Sequence, residues 1–408
     1  MKILVLNAGS SSQKSCLYEI QSEPSSQPPS PLWEGKVDWT HEQGYAEIEV
    51  KTSTGICLQE KIAADSRPIV IRRLLATLWQ GDTQVIDQPN EIAVVGHRVV
   101  HGGAEYRESV FITAEVKAAI ARLASFAPVH NPANLEGIEA IETLFGNIPQ
   151  VAVFDTAFHA HLPLAAAVYP GPYEWYEQGI RRYGFHGISH RYCAERAAQL
   201  LDRDLSSLRL ITCHLGNGCS LAAIQNGISI ETTMGFTPME GLMMGSRSGS
   251  IDPGILIHLL RHQGYSADKL DQVLNKQSGL LGVSGISADL RRIDQAIAAG
   301  NERAKLALEI YIHRLQSAIS ACLPHLGGLD ALIFTAGVGE NSATVRSATC
   351  AGFEFLNWQI DQDQNQPSPQ DRDIATPDSA VRILVIHTQE DWAIAQDCWQ
   401  LIQTNSQS

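Results

Sequence analysis

The glycine-rich stretch at residues 235–249, GFTPMEGLMMGSRSG, contains a residue suited to binding an anion. Its glycines let the backbone approach a ligand closely, and Pro238 fixes a bend. Arg247 is the one cation in the stretch, and its planar guanidinium suits a carboxylate or a phosphoryl group. Taken alone, the stretch is equally compatible with a tight loop in which Arg247 pairs with a structural acid.

Three apolar segments that read as buried strands each lead into a polar residue: Asn7, Arg98 and Asp155. In α/β proteins the carboxyl ends of strands are the usual place for ligand contacts. Residues 3–20 predict a strand, a serine-rich turn and a returning strand. A P-loop does not fit, because Lys14 takes the place of its second glycine and no helix follows. The turn is either an ordinary hairpin or one that faces phosphates, with Asn7 near a metal.

The same pattern recurs half a chain later. Residues 210–213 predict a strand, His214–Gly218 a glycine turn, and residues 220–225 a returning strand. Such an internal repeat predicts two related domains. A third glycine turn, at residues 336–342, follows a strand at 331–335 and precedes a helix, but it lacks the third glycine of a dinucleotide fingerprint.

The histidines allow a metal site or simple capping. His130 precedes a helix that Asn131 is expected to cap, with Pro132 at its first position. His186 and His190 are four residues apart, which could indicate zinc. Ser189, which lies between them, is expected to cap the next helix, so the two histidines would not share one helix face. No His-Glu-x-x-His pattern exists either, so zinc is disfavoured.

The remaining periodic segments alternate strands and helices. Further strands are expected at 33–39, 45–51 and 381–387, and helices at 66–80, 114–126, 132–145, 189–201, 251–263, 267–275, 288–299, 302–323 and 391–403. The Pro/Ser-rich residues 21–32 read as a surface loop.

Composition limits the partners. The net charge of −14 disfavours nucleic acid or an anionic membrane, although local arginines can still bind a small anion. The apolar N-terminal run is too short for a signal peptide, and no apolar run is long enough to cross a membrane. The eight cysteines form no Cys-x-x-Cys, so we expect a reducing cytoplasm.

Together these residues favour phosphoryl transfer. Backbone N–H groups and hydroxyls bind phosphates, and Mg²⁺ prefers oxygen ligands. Transfer itself requires positioning and neutralisation of the phosphoryl oxygens. Two arginines suit this chemistry, because Arg98 and Arg247 could hold the acceptor and the moving group.

At this point the chain resembles the acetokinase family, ATP-dependent enzymes that interconvert acetate and acetyl phosphate within the acetate/sugar kinase–heat-shock ATPase–actin superfamily. The matching motifs span the chain in family order: residues 4–12, 96–103, 127–132, 154–159, 183–187, 214–218, 235–249 and 337–341. The resemblance implies an α/β fold with two related domains, whose mixed β-sheets are flanked by helices, and an active site in the interdomain cleft. It implies an N-terminal domain at 1–154, completed by the C-terminal helix at about 391–408, and a nucleotide-binding domain at 155–390.

The resemblance also implies roles for individual residues. Asn7 and Glu390 would hold Mg²⁺, with Mn²⁺ as an alternative. The ATP-binding residues would be Ser12, Lys14, His214, Leu215, Gly216, Asn217, Gly218, Asp289, Leu290, Arg291, Gly337, Val338, Gly339, Glu340 and Asn341. The residues at the substrate would be Arg98, Val100, Val129, His130, Phe185 and Pro238, and the catalytic residues Arg98, Asp155, His186 and Arg247. A homodimer is implied as well.

Asp155 carries an acid/base role in the family. Acetate, with a pKa of about 4–5, is already ionised at neutral pH and needs no base. We therefore expect Asp155 to orient Arg98 or the metal shell.

The sequence departs from the family pattern at two positions of the central motif, where Ser246 and Ser250 replace the usual Thr and Asp. Ser250 removes a charge near Arg247. The expected reaction is direct in-line transfer of the γ-phosphoryl group of ATP to acetate, giving ADP and acetyl phosphate. The alternatives are a propionate or butyrate kinase, a non-catalytic nucleotide-dependent scaffold, which the Arg98/Arg247 pair argues against, and, more distantly, a zinc hydrolase.

Overall fold

The computed structural model describes residues 1–9, 12–21, 24–25, 27–39, 44–64, 66–128 and 130–407. Val129 lies outside the described residues, and so do residues 10 and 11 of the serine-rich turn. The chain forms two compact units: unit 1 comprises Met1–Ala157 and Gln389–Ser408, and unit 2 comprises Phe158–Thr388.

The strands, numbered in chain order, are β1 (Lys2–Ala8), β2 (Ser12–Glu19), β3 (Trp33–Asp38), β4 (Tyr45–Thr52), β5 (Cys57–Ala63), β6 (Ile92–Val99), β7 (Val110–Phe111), β8 (Gln150–Phe154), β9 (Arg209–Leu215), β10 (Cys219–Gln225), β11 (Ile228–Thr232), β12 (Ala331–Thr335), β13 (Arg372–Asp373) and β14 (Arg382–Val385). The α-helices are α1 (Arg67–Ala76), α2 (Ala114–Arg122), α3 (His130–Phe145), α4 (Leu164–Ala167), α5 (Tyr173–Glu177), α6 (Gly187–Leu200), α7 (Pro253–His262), α8 (Ala267–Lys276), α9 (Gly279–Ser284), α10 (Leu290–Ala298), α11 (Glu302–Leu326), α12 (Ala336–Asn341), α13 (Ala343–Ala351) and α14 (Glu390–Gln407).

Unit 1 is built on a mixed sheet in the order β5-β4-β3-β2-β1-β6-β8-β7. Strands β1, β6 and β8 run parallel, so their carboxyl ends share one edge. Helices α1 and α3 cover one face of this sheet, and α14 packs against β1 and β6. The approach of α14 is close: a Cβ at Gly96 in β6 would lie 2.6 Å from both Ile394 and Cys398. Glycine is therefore needed where the helix crosses the strand.

Unit 2 contains a second mixed sheet in the order β11-β10-β9-β12-β14-β13. Its hairpin β9–β10 is followed by the parallel strands β12 and β14, as the hairpin β1–β2 is followed by β6 and β8 in unit 1. The predicted fold class, two mixed sheets flanked by helices, is confirmed. Within the described residues, no helix has the length and apolar character needed to cross a membrane.

The unit boundaries lie a few residues from those expected. Asp155 belongs to unit 1, because its backbone N–H donates to the carbonyl oxygen of Val99 and its carboxylate pairs with Arg98. Glu390 also belongs to unit 1, because it begins α14.

Two capping predictions were wrong. Asn131 lies inside α3, where its buried side chain accepts a hydrogen bond from the backbone N–H of His101 and donates to the carbonyl oxygens of His101 and Ile120. Ser189 lies inside α6, which begins at Gly187. Each side chain has a tertiary partner that local sequence could not reveal.

The third glycine turn is helical. Residues Ala336–Asn341 form α12, and the strand-to-helix junction places Ala336 at a φ of 62°. The Glu340 carboxylate accepts the backbone N–H of Ala336 at 2.8 Å, which satisfies an N–H group at the start of the helix.

Candidate active site

The strand ends of unit 1 bring Asn7, Arg98 and Asp155 together. The guanidinium of Arg98 donates two hydrogen bonds to Oδ2 of Asp155, at 3.0 Å from Nε and 2.5 Å from Nη2. Its Nη1 donates to Oδ1 of Asn7 at 3.2 Å. Burial alone would lower the pKa of Arg98, but the neighbouring Asp155 carboxylate raises it above its usual range. Arg98 therefore stays charged and held in one orientation.

The start of α14 adds two acids to this group. The side-chain amide of Asn7 donates to Glu390 at 3.3 Å and to Asp391 at 3.0 Å. Lys14 pairs with the second oxygen of Asp391 at 3.0 Å. Although burial lowers the pKa of Lys14, the charge of Asp391 raises it above its usual range. Asp391 was not among the predicted site residues, although it adjoins Glu390 in the sequence.

The structure places the other described residues predicted for unit 1 as follows. Ser12 begins β2, and its carbonyl oxygen accepts the backbone N–H of Gly9. Val100 is buried, and its backbone N–H donates to Oδ1 of Asn134. His130 begins α3.

In unit 2, four histidines surround the start of α6. His186 immediately precedes this helix with a φ of 56°, an uncommon left-handed conformation for a residue with a side chain. Its ring stacks on that of His214, with centroids 4.1 Å apart and planes 18° apart. Burial lowers the pKa of His159 to about 4 and that of His190 well below its usual value. His159 and His190 are therefore neutral at neutral pH.

Arg247 lies near these rings without an ion pair in the described part of the chain. Its Nη1 donates to the carbonyl oxygen of Pro238 at 3.0 Å, and burial lowers its pKa. A Cβ placed on Gly218 would lie 3.5 Å from Nε2 of His186 and 3.6 Å from Nη1 of Arg247. Both cation-forming groups thus border one small space, which glycine leaves open. A cation without a carboxylate partner in such a place can bind an anion.

The loop that carries Arg247 is fixed by residues that the sequence reasoning missed. Glu240 binds Nη2 of Arg182 at 2.8 Å and the hydroxyl of Tyr169, and this hydroxyl also accepts the backbone N–H of Phe236. A Cβ at Gly235 would overlap Glu240 and Tyr169, so only glycine fits there. These contacts join the 235–249 segment to the segment before α6.

Ser250 stabilises the base of this loop. Its hydroxyl accepts the backbone N–H of Gly241 at 3.0 Å, and its own N–H donates to the carbonyl oxygen of Gly241 at 2.9 Å. The hydroxyl therefore serves the backbone of the loop, while Arg247 is held by Pro238.

A cavity of about 870 Å³ opens beside the glycine turn of β9–β10. This volume is within the range of small-molecule sites. It brings together eight of the predicted ATP-binding residues: Gly216, Asn217, Asp289, Leu290, Arg291, Gly337, Val338 and Asn341. Asp289 caps α10 by accepting the backbone N–H of Arg291.

The remaining predicted residues of unit 2 lie outside the residues lining this cavity. His214 stacks on His186, and Gly218 lies beside Arg247. Leu215 and Gly339 are buried, and Glu340 accepts the backbone N–H groups of Ala336 and Thr388. Phe185 is also buried, and its carbonyl oxygen hydrogen-bonds to Nε2 of His159.

Replacing Gly218 with alanine tests the open space between His186 and Arg247. The new Cβ meets both groups at ordinary contact distances, so we expect normal folding. We expect the added methyl group to exclude an anion from this space and kcat to fall about 10²-fold, as for loss of one oxyanion donor. Gly137→Ala is the control. Gly137 lies within helix α3, and among the described residues outside this helix its new Cβ would meet only Leu6 of β1, at 4.0 Å. An unchanged kcat in Gly218→Ala would contradict the binding of a reacting anion at this position.

Unit 1 holds an ion-paired arginine next to the carboxylates of Glu390 and Asp391. Unit 2 holds stacked imidazole rings beside a second arginine, and a cavity lined by glycine turns. These features are typical of enzymes that act on small phosphorylated substrates. The model of the acetokinase family matches residues 2–396. The chain therefore belongs to the acetokinase family.

Relatives and solved structures match nearly the whole chain. It is 97% identical over 408 residues to the acetate kinase of Cyanothece sp. (strain PCC 7425 / ATCC 29141), with all of both chains covered. The crystal structure of Porphyromonas gingivalis acetate kinase has a TM-score of 0.90 at 41% identity, covering 98% of this chain and 99% of that one. A propionate kinase from Francisella tularensis has a TM-score of 0.88 at 38% identity, covering 97% and 98%.

Proposed function

We propose that the protein transfers the γ-phosphoryl group of ATP to acetate, giving ADP and acetyl phosphate, in a reversible reaction. The observation that carries this proposal is the 97% identity, over all 408 residues, to an acetate kinase. The geometry of each unit supports specific roles within that reaction.

In unit 1, Arg98 binds the acetate carboxylate and Asp155 orients Arg98. Both N–H groups that Arg98 directs at Asp155 end on one oxygen, and its Nη1 reaches Asn7. The ion pair fixes the guanidinium plane before the substrate arrives, which reduces the entropy lost on binding. Acetate needs no deprotonation, so the carboxylate of Asp155 has no proton to remove.

In unit 2, the cavity lined by Gly216, Asp289 and Gly337 receives ATP, and Arg247 and His186 stabilise the transferring group. The phosphoryl group spreads negative charge over three oxygens in an in-line transition state. Arg247 brings a guanidinium without an ion pair in the described residues, and His186 brings a ring nitrogen to the same space. These groups are placed before the reaction, so they need little reorganisation.

Asn7 and Glu390 would supply the protein oxygen ligands for Mg²⁺, with Oδ1 of Asn7 exchanging its contact with Arg98 for the ion. The amide of Asn7 gathers the carboxylates of Glu390 and Asp391, and Asp391 is also paired with Lys14. This donor set fits a hard cation that takes one or two carboxylates and completes its shell with substrate phosphates and water. Mn²⁺ accepts the same ligands. When bound, the ion neutralises charge on the phosphate oxygens.

A hydroxamate assay for acyl phosphate tests the proposed function directly. With ATP and Mg²⁺, we expect the highest kcat/KM for acetate, followed by propionate and then butyrate. Each added CH₂ in a fitted pocket changes selectivity by about 1–3 kcal/mol. A higher kcat/KM for propionate would favour the alternative activity named for the Francisella tularensis relative. If no acyl phosphate forms from any of the three acids, a nucleotide-dependent scaffold would be favoured.

The proposed homodimer uses helix α7. None of its ten residues is buried, although several are large and apolar. Ile255, Ile257 and Leu260 are each between 44% and 49% exposed. An apolar helix this exposed is typical of an interface. We expect Ile257→Asp to shift the mass in solution from twice 44.5 kDa to 44.5 kDa, measured by light scattering. Ile69→Asp, on the exposed side of α1, is the control. A variant that stays dimeric would place the interface elsewhere.

The proposed compartment is the cytoplasm. All eight cysteines are free, and seven of them are buried. Buried thiols persist in reducing compartments. The acidic net charge of −14 supports small-molecule partners in place of nucleic acid or anionic lipid.

A further inference from the structure

A chain of hydrogen bonds leads from His186 into the sheet of unit 2. Nδ1 of His186 lies 2.9 Å from the hydroxyl of Ser220, which lies 2.7 Å from Nε2 of His190. Nδ1 of His190 lies 2.7 Å from the hydroxyl of Thr212. Ser220, His190 and Thr212 are fully buried, so water does not compete for these bonds.

Thr212 sets the donor-to-acceptor direction of these hydrogen bonds. Its hydroxyl lies 3.4 Å from the carbonyl oxygen of Ala222, a long contact to a group that can only accept, and we infer that this carbonyl is its acceptor. Thr212 therefore accepts from Nδ1–H of His190. Because neutral imidazole carries one N–H, Nε2 of His190 accepts from the hydroxyl of Ser220. With its hydrogen used there, Ser220 accepts from Nδ1–H of His186.

We propose that Thr212, His190 and Ser220 are positioning residues that fix the ring of His186 as an Nδ1–H donor. The remaining nitrogen, Nε2, borders the open space at Gly218 that Arg247 also borders. The catalytic consequence rests on the proposed function, whereas the tautomer itself does not. With Nδ1–H committed to Ser220, His186 can donate from Nε2 only as an imidazolium.

His214, stacked on His186, is expected to have the opposite arrangement. The hydroxyl of Thr388 donates to Ser189 at 2.8 Å, and Ser189 lies 2.8 Å from Nδ1 of His214. With one acceptor position of Ser189 filled by Thr388, we expect the Ser189 hydroxyl to donate to Nδ1 of His214, so that the neutral ring carries its N–H on Nε2. His214 can donate to an anion without becoming charged. One cationic and one neutral ring can stack at 4.1 Å without like-charge repulsion.

The relay, meaning the hydrogen-bonded series Thr212, His190, Ser220 and His186, has a consequence for the pH profile of kcat. His186 is faced by the rings of His190 and His214 and by the guanidinium of Arg247. A required imidazolium is present below its pKa and is lost as the pH rises through it. We expect kcat to fall tenfold per pH unit above that point. The pH at which the limb begins should match the deprotonation of His186 measured by NMR.

Long-range ¹H–¹⁵N correlation spectra of histidine-labelled protein test the tautomers without any assay of activity. At a pH where His186 is neutral, we expect a protonated nitrogen at Nδ1 and an unprotonated one at Nε2. We expect the reverse for His214. His186→Asn and His214→Asn provide the assignments. A neutral His186 with its hydrogen on Nε2 would overturn the proposal, even if the protein phosphorylates acetate as proposed.

Ser220→Ala tests the relay itself. Without its acceptor, neutral His186 can place the hydrogen on Nε2, so we expect the tautomer preference to disappear and the alkaline limb of kcat to flatten. KM for ATP and acetate should stay within about threefold, and Ser220→Thr, which keeps the hydroxyl, should restore the limb. Ser229→Ala is the matched control, because it removes the hydroxyl 2.8 Å from Nδ1 of His159. An unchanged His186 tautomer in Ser220→Ala would contradict the relay, and if this variant fails to fold, the wild-type spectrum still decides.

Discussion

Arg247→Leu should lower kcat for acetyl phosphate formation by about 10³- to 10⁵-fold, the range for arginines that stabilise a transferring phosphoryl group. The guanidinium has no carboxylate to neutralise it within the described residues, and it borders the space beside Gly218 and His186. Its charge is therefore available to the phosphoryl oxygens. The hydroxamate assay measures kcat, and we expect KM for acetate to change much less.

The control for Arg247 is Arg203→Leu. Arg203 lies on the surface of unit 2, 44% exposed, and pairs with Asp330. Such surface pairs contribute about 0–1 kcal/mol, so this variant should keep its activity. Arg247→Lys should remain impaired, because a compact ammonium cannot reproduce the planar fork. If Arg247→Leu kept kcat within tenfold of wild type, Arg247 would not act on the moving group.

Asp155→Asn should lower kcat/KM for acetate by about 30- to 4,000-fold. The side chain of Asp155 is only 2% exposed, and its Oδ2 accepts both hydrogen bonds from Arg98. Removing one partner of a buried, hydrogen-bonded charge pair costs about 2–5 kcal/mol, and each 1.4 kcal/mol is tenfold. The amide keeps the shape but loses the charge that orients Arg98. Steady-state kinetics with varied acetate measures the effect.

The same variant separates orientation from acid/base chemistry. If Asp155 orients Arg98, KM for acetate should rise while the pH profile of the remaining activity keeps its shape. If Asp155 transfers a proton, Asn should remove a limb of the profile. Asp204→Asn, at an exposed cap, is the control. Unchanged kcat and unchanged kcat/KM for acetate in Asp155→Asn would exclude both roles.

Local sequence was sufficient for the strands that carry the site. The apolar run ILVL reads as a buried strand because β1 is central and covered on both faces, and the same holds for the segments that became β6, β8 and β12. The repeated strand–turn–strand pattern correctly indicated two related sheets. Arg247 and its glycines stood out from composition alone, because few roles suit an arginine in such a loop.

Local sequence was misleading where a side chain has a distant partner. Asn131 and Ser189 have the composition of helix caps, yet each bonds to a residue brought near by folding. The segment Ala336–Asn341 has the glycines of a turn, yet Glu340 stabilises it as a helix. For Asn131 and Ser189 the tertiary contact outweighs the intrinsic preference of the segment, whereas the contact of Glu340 with Ala336 is local.

The sequence by itself determined the family, the two mixed sheets and the residue types available for phosphoryl transfer, because these depend on short motifs and on hydrophobic periodicity. Only the tertiary structure decided which atoms meet. It paired Lys14 with Asp391, joined Ser220 to His186 and His190, and tied the Arg247 loop to Tyr169. These partners are between 30 and 377 residues apart in the chain. Their contacts follow from strand register and helix packing, which no single segment encodes.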